Sequence, residues 1–359
     1  MQTYQTRTID SLAGLEDIKP CWQRLCGRLP QVLPTQTFEY VQAYVTAFDL
    51  SGDPWAIIAL YDQDQLCALL PLVTRRRKAA GISLTTLNGM DLPMPIRDAI
   101  VAPGIQMQSI VQTLKQTQSD PWVYLHMRAL PDSSLLLEPA TLNNTLVLHH
   151  PCGRSNAISV DDTDHHATHL SRNFRSDLKR KMKRLEKQGA VELVTCTEPA
   201  ELETAFEEFL DTEAAGWKSV SGGKRAVKLH ADQTAFYRQL MRNNAATGHA
   251  HIHLLRVNET AIASDYCIVA NGVSFSLKHG FNEAWLDYSP GNLLRSWTIR
   301  YYEQQADIHT LDLVSDWDWH QRWHPQSRPI HDLKVFHSGL ASQLLYRAIQ
   351  FRRQLSAPV

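Results

Sequence analysis

The chain has no run of eighteen apolar residues, and a membrane-spanning helix needs about twenty. It has no C-x-x-C pair either. Its six cysteines, at positions 21, 26, 67, 152, 196 and 267, are scattered, which argues for reduced, mostly buried thiols rather than a disulfide framework. The net charge is −1, so no overall basic field selects nucleic acid as the partner. The first residues, MQTYQTRTIDSLAGLEDIK, lack a basic head followed by an apolar stretch, so no signal peptide is expected and a cytoplasmic protein is. There is no low-complexity tract, and no G-x-S-x-G, P-loop or dinucleotide fingerprint. What remains is an ordinary globular composition, 43% hydrophobic and 20% charged, in 359 residues. That length exceeds what one core usually serves, so two mixed α/β domains are expected.

The second half has the clearer pattern. Leu170, Phe174, Leu178, Met182 and Leu185 recur at spacings of four, four, four and three, which predicts one apolar helix face. AVELVTCT at 190–197 alternates as a strand. Pro199 and the acidic residues after it open a helix, and a second helix ends at Gly248. Three strands follow, joined at Asn258-Glu259 and at Asn271-Gly272, the latter a strong hairpin signal. A helix from about Gly291 and a strand at 308–314 complete the order β-α-α-β-β-β-α-β. The first half reads α-α-β-β-β-α-β, with helices near 10–27 and 36–48 and a hairpin at Gln63-Asp64. Shared element order with little shared identity predicts two copies of one fold. The expected division is a first lobe at 1–155, a polar linker at 156–170, a second lobe at 171–337 and a terminal helix at 338–359.

Three local signals have ordinary explanations. Residues 172–187 carry eight Lys or Arg and could bind an anionic polymer, but a solvated helix face suffices. His165 and His169 stand four apart in a polar stretch without the H-E-x-x-H order, so no metal is expected. Trp317, Trp319 and Trp323 in DWDWHQRWHP could stack a sugar ring or simply fill a core.

The stretches NFRSDLKRKMKRLEKQGAV, FLDTEAAGWKSVSGGKRAV, AIASDYCIV and LKHGFNEAWLDYSPGNLL, with LPTQTFEYVQAY and WVYLHMRALPDSS in the first half, resemble the CelD-like branch of the GNAT acyltransferases. Those two-lobed proteins are related in architecture to the FemAB-type peptidyltransferases and are often linked with exopolysaccharide or envelope biosynthesis. The resemblance implies an α/β fold of two tandem GNAT-like lobes, each a central mixed sheet flanked by helices. It also implies transfer of an acyl group from acyl-CoA, such as acetyl-CoA, to an envelope sugar or related small-molecule or glycan acceptor. The first lobe is expected to be a degenerate copy that shapes the acceptor cleft.

In a GNAT fold the donor's pyrophosphate sits where the fourth strand turns into a helix. Ser289, Pro290, Gly291, Asn292 and Leu293 occupy that place by element order, with Arg295 one turn along. The physics is general: the first N–H groups of a helix lack internal partners and favour an anion. Pro290 suits the first helical turn and Ser289 the N-cap. The familiar Q/R-x-x-G-x-G/A loop is absent, which keeps open an acyl carrier protein or a charged tRNA as carrier. It also keeps open a non-catalytic binding or scaffold protein on the same fold.

Acyl transfer needs a base, oxyanion donors and an acid for the leaving group. Strict alternation along 273–280 puts Ser274, Ser276 and Lys278 on one face and Phe275, Leu277 and His279 on the other. Lys278 matches a lysine of the family pattern and could hold a phosphate or the oxyanion. His279 and Asp265 are candidate bases, the latter an acid among apolar strand residues that is either paired or functional. Tyr288 is a candidate acid, and Asp312 a residue facing the gap where the donor threads. Glu213 and Trp217, beside a Gly-Gly loop with Lys218, Lys224 and Arg225, are expected at the acceptor mouth.

Overall fold

The computed structural model describes residues 4–48, 50, 54–79, 82–117, 121–142, 145–161, 168–219 and 223–356. The chain forms two compact units. The first takes Met1–Val45, Asp49–Gly153 and Pro329–Val359; the second takes Thr46–Phe48 and Arg154–Arg328. The fold is mixed α/β, and in each unit a mixed sheet is flanked by helices.

The elements begin with β1 (Gln5–Ile9), α1 (Leu12–Cys26), α2 (Phe38–Ala47), β2 (Trp55–Asp62), β3 (Gln65–Ala79) and β4 (Ile82–Gly89). After residues 90–106, irregular but for the two-residue β5 (Ile100–Val101), come α3 (Met107–Thr117), β6 (Trp122–Pro131) and α4 (Pro139–Leu142). Next are β7 (Leu146–Ser159), α5 (Arg172–Leu185), β8 (Val191–Cys196), α6 (Pro199–Ala214) and α7 (Ala231–Ala245). The last are β9 (Ala250–Val257), β10 (Thr260–Ala270), β11 (Val273–Phe281), α8 (Pro290–Tyr302), β12 (Thr310–Asp312), β13 (Gln326–Phe336) and α9 (Leu340–Ser356).

The first unit's sheet runs β1-β2-β3-β4-β6-β13, with β5 added to β3. Only the β4–β6 pair is parallel. The second unit's sheet runs β8-β9-β10-β11-β12-β7, and only the β11–β12 pair is parallel. The two sheets therefore share one layout, in agreement with the repeat predicted from element order. Each has its own core. Leu60, Leu70, Ile110, Leu125 and Val335 are among the buried side chains of the first, and Leu185, Leu255, Leu294, Leu311 and Trp323 of the second.

Three features depart from the sequence reading. The first unit also opens on a strand, β1, which periodicity could not reveal because only Ile9 of its QTRTI is buried. The expected linker at 156–170 begins inside β7, whose residues 157–159 pair with β12; residues 162–167, including His165, lie outside the described residues. The expected second lobe at 171–337 extends too far, because β13 pairs with β6 of the first unit. A register shift between His331 and Leu333 breaks the alternation that would have marked β13 as a strand. The terminal helix is not an appendage, since the Ser342 hydroxyl donates to the Val123 carbonyl at 2.7 Å. Among the described residues no helix is long and apolar enough to cross a membrane.

Candidate active site

The two sheets differ at one point. In the first unit β4 stays paired with β6 as far as Asn88, one residue from its end. In the second, β11 pairs with β12 only at Val273, Ser274 and Phe275, opposite Thr310, Leu311 and Asp312. The last six residues of β11, 276–281, therefore run on without that neighbour. A parallel pair that separates toward its carboxyl ends, with a helix starting just beyond, makes a crevice of the kind α/β proteins use for ligands. Lys278 and His279 lie on the unpaired arm, and Asp312 stands at the fork. Asp312 is buried and its carboxylate accepts the Val314 N–H at 2.7 Å; burial raises its pKa to about 6.

The alternation expected along β11 fails at Leu277. Ser276 is paired with Cys267 and Lys278 with Tyr266, so the register shifts between them, the signature of a β-bulge. Lys278 therefore points its ammonium at the Tyr237 ring of α7, 5.4 Å from the centroid, and burial lowers its pKa. Ser276 turns to the opposite side, where it meets Asp265 of β10 and Arg295 of α8. The Ser276 hydroxyl donates to Asp265 Oδ1 at 2.5 Å and accepts from Arg295 Nη2 at 3.0 Å. Arg295 Nη1 lies 2.8 Å from Asp265 Oδ2, with both side chains 1% exposed. This corrects two expectations. Arg295 is a fully buried partner of Asp265 rather than a cation offered to a ligand, and Asp265 is paired rather than free to act as a base. Burial pushes the Asp265 carboxyl up, with Arg295 and Ser276 opposing.

His279 shares the Asp265 side of the bulge and is its partner across the strands. Its ring stacks on Trp319 at 5.6 Å, and its Nδ1 is buried with no hydrogen-bond partner. Burial, then the charges of Arg295, Lys218 and His320, hold its pKa well below the usual 6.5, so the ring is neutral at physiological pH. A buried nitrogen without a partner is costly unless something completes it. Its Nε2 would be 2.9 Å from a Cβ built on Gly291, so α8 can start against the imidazole only because residue 291 has no side chain.

Glu213, expected at the acceptor mouth, is instead interior. Its carboxylate accepts from Lys218 Nζ and from the Val227 N–H, both at 2.8 Å, and Lys218 also donates to the His279 carbonyl at 2.6 Å. Burial lowers the Lys218 pKa against the pull of Glu213. Trp217 is 38% exposed. Of the Gly-Gly loop, residues 220–222 lie outside the described residues. A Cβ on Gly280 would fall 2.8 Å from the Glu213 Cα, so Gly280→Ala must push strand from helix. It is expected to cost about 1–3 kcal/mol by overpacking, read by urea denaturation.

Helix α8 begins at Pro290, as predicted, but its cap differs. Ser289 adopts a left-handed conformation, φ 50°, and its side chain caps nothing; its carbonyl takes the Asn292 and Leu293 N–H groups at 3.0 and 3.1 Å. The Ser289 hydroxyl instead meets the ammonium of Lys181. The Arg184 guanidinium lies over the Tyr288 ring at 5.3 Å. Helix α5 therefore brings two cations to the start of α8. Periodicity could not assign them this role, because it shows which residues share a helix face and not what that face meets. The neighbouring Arg172, Lys179, Arg180, Lys183 and Lys187 are exposed. Trp323 is a core residue, Trp319 packs on His279 and Trp317 is 54% exposed. Among the described residues no cluster could hold a metal ion.

This crevice, a parallel strand pair opening beside a helix start, falls within a stretch that matches a known family. Residues 172–322 match the acetyltransferase (GNAT) domain. The GNAT match takes in α5, the fork, the bulge, α8 and Trp319. No curated protein matches the chain. Among solved structures, FemX is similar at a TM-score of 0.61 and 11% identity, covering 96% of this chain and 99% of that one. The C-terminal domain of a protein described as a lysylphosphatidylglycerol synthetase from Agrobacterium fabrum is similar at 0.58 and 9%, covering 93% and 96%. L-PGS from Bacillus licheniformis gives 0.52 and 10%, covering 90% and 94%. At such identities the likeness is one of fold.

Proposed function

We propose that the second unit transfers an acyl group from a phosphate-bearing carrier, acyl-CoA such as acetyl-CoA in the first instance, to an amine or hydroxyl of a small molecule or glycan. The CelD-like resemblance suggests an envelope or exopolysaccharide sugar as acceptor. The observation that carries the reading is the convergence of Lys181 and Arg184 on the start of α8, beside the fork. Asn292 and Leu293 spend their N–H groups on Ser289, so among backbone donors Gly291 remains for an anion, and the two side chains supply most of the positive charge. Bound acyl-CoA would supply an activated carbonyl. His279, neutral and with Nδ1 free, is the group that exchanges a hydrogen bond or proton with the reacting atoms. Asp265, Ser276 and Arg295 hold β10, β11 and α8 in register behind it.

Calorimetric titration with acetyl-CoA tests this. Wild-type protein is expected to bind in the micromolar range, and Lys181→Glu to lose binding with its circular dichroism spectrum unchanged. Equal binding by the variant would remove the phosphate from α8. A folded wild type that binds no acetyl-CoA would reject this carrier. The exposed cations of α5 favour a second reading for that case, aminoacyl transfer from charged tRNA, marked by affinity falling steeply with salt.

A further inference from the structure

The first unit contains a cavity of about 330 Å³, within the range of small-molecule sites. Its walls include Leu29, Leu33, Val101, Leu135 and Leu136. Two polar side chains reach its lining from the interior, Gln36 and Asp98. Gln36 is already engaged: its amide donates to the Ala99 carbonyl at 2.7 Å and its oxygen accepts the Leu33 N–H at 2.8 Å. Asp98 is not saturated. Its carboxylate takes the Ala99 N–H at 2.8 Å and a hydrogen bond from Ser134, leaving acceptor sites over. No Lys or Arg pairs with it among the described residues. The nearby arginines Arg75, Arg97 and Arg128 all turn to Asp91, at 2.9, 2.8 and 3.6 Å.

We propose that this cavity binds a small molecule carrying an ammonium group on an apolar body, with Asp98 as counter-ion. The walls exclude water from the apolar part, and the carboxylate is the one charged group the lining offers. An ammonium supplies the positive charge that the protein places on Asp91 and withholds from Asp98. Burial raises the Asp98 pKa to about 7, so near neutrality it lies between its two forms and a cation draws it to the ionised one. The site is independent of the donor crevice in the second unit.

The test uses n-hexylamine and 1-hexanol as matched probes, titrated by calorimetry into wild-type protein and Asp98→Asn. At pH 8, hexylamine is expected to bind wild type at least about tenfold more tightly than hexanol. Its affinity should fall as the pH drops through about 7 and Asp98 takes up a proton. Asp98→Asn should lose the preference for the amine. The variant should also fold well: with the native pKa raised from 3.8, wild type loses stability as pH rises from about 4 to 7, and the amide escapes that loss. Its melting temperature should therefore exceed that of wild type at pH 8 and match it near pH 4. Equal affinity for amine and alcohol, no binding of either, or unchanged amine binding by Asp98→Asn would each overturn the proposal. Were the variant not to fold, the pH dependence in wild type decides alone: amine affinity no weaker at pH 5.5 than at pH 8 would overturn it.

Discussion

Arg295→Met is expected to lower the free energy of unfolding by about 3–5 kcal/mol, measured by urea denaturation at pH 7. The loss comes from what the substitution leaves behind. Asp265 is 0% exposed, and Arg295 Nη1, 2.8 Å away, is its counter-ion. Without it, a carboxylate surrounded by protein keeps the Ser276 hydroxyl, a hydrogen bond from Cys267 and the field of Lys218, but no guanidinium beside it. Burial already drives this carboxyl toward protonation, so in the variant a proton replaces the guanidinium and the deficit should narrow as the pH falls. The double variant Asp265→Asn/Arg295→Met removes both charges and should recover most of the loss. A deficit below about 1 kcal/mol, or a double variant no better than the single, would show that the pair does not carry this load.

Much of this fold was legible from periodicity and turn chemistry. The hairpins at Gln63-Asp64 and Asn271-Gly272, the helix after Ser289 and the repeated order were read directly, because each depends on neighbours in sequence. The misses share one cause. Strand β1 is an edge element with one buried side chain, and β13 carries a register shift that disrupts its period. Bulges also explain why Ser276 and Lys278, two apart on one strand, face opposite sides. Asp265 illustrates the limit for function: sequence could say that an acid among apolar residues must be paired or functional, but the partner, thirty residues on in a helix, appears only in three dimensions.

The two sheets share a layout but differ beside their parallel pairs. Both sheets contain a parallel pair followed by a helix, yet β4 stays paired almost to its end and then enters the long irregular stretch 90–106. In β11 the pairing stops early, a bulge turns His279 toward the α8 side, and one 3-10 helical segment, Glu283–Tyr288, delivers the chain to Pro290. The first unit keeps the scaffold without the fork.

His279→Ala is expected to reduce turnover by about 10²–10⁴-fold with an acceptor that supports wild-type reaction, while leaving the melting temperature within a few degrees. His279→Gln keeps the bulk against Trp319 and should be almost as slow, separating chemistry from packing. The pH profile is the sharper readout. A neutral imidazole is the working form, and burial together with Arg295, Lys218 and His320 keeps His279 neutral well below 6.5. The rate should therefore be flat from pH 6 to pH 8 on this residue's account and fall only in more acidic buffer. Lys218→Met removes one of those charges, so its acidic limb should move upward toward 6.5. A wild-type profile rising through pH 6.5–7, or an alanine variant with full turnover, would take His279 out of the proton path and leave Tyr288, beneath Arg184 at the start of α8, as the candidate to examine.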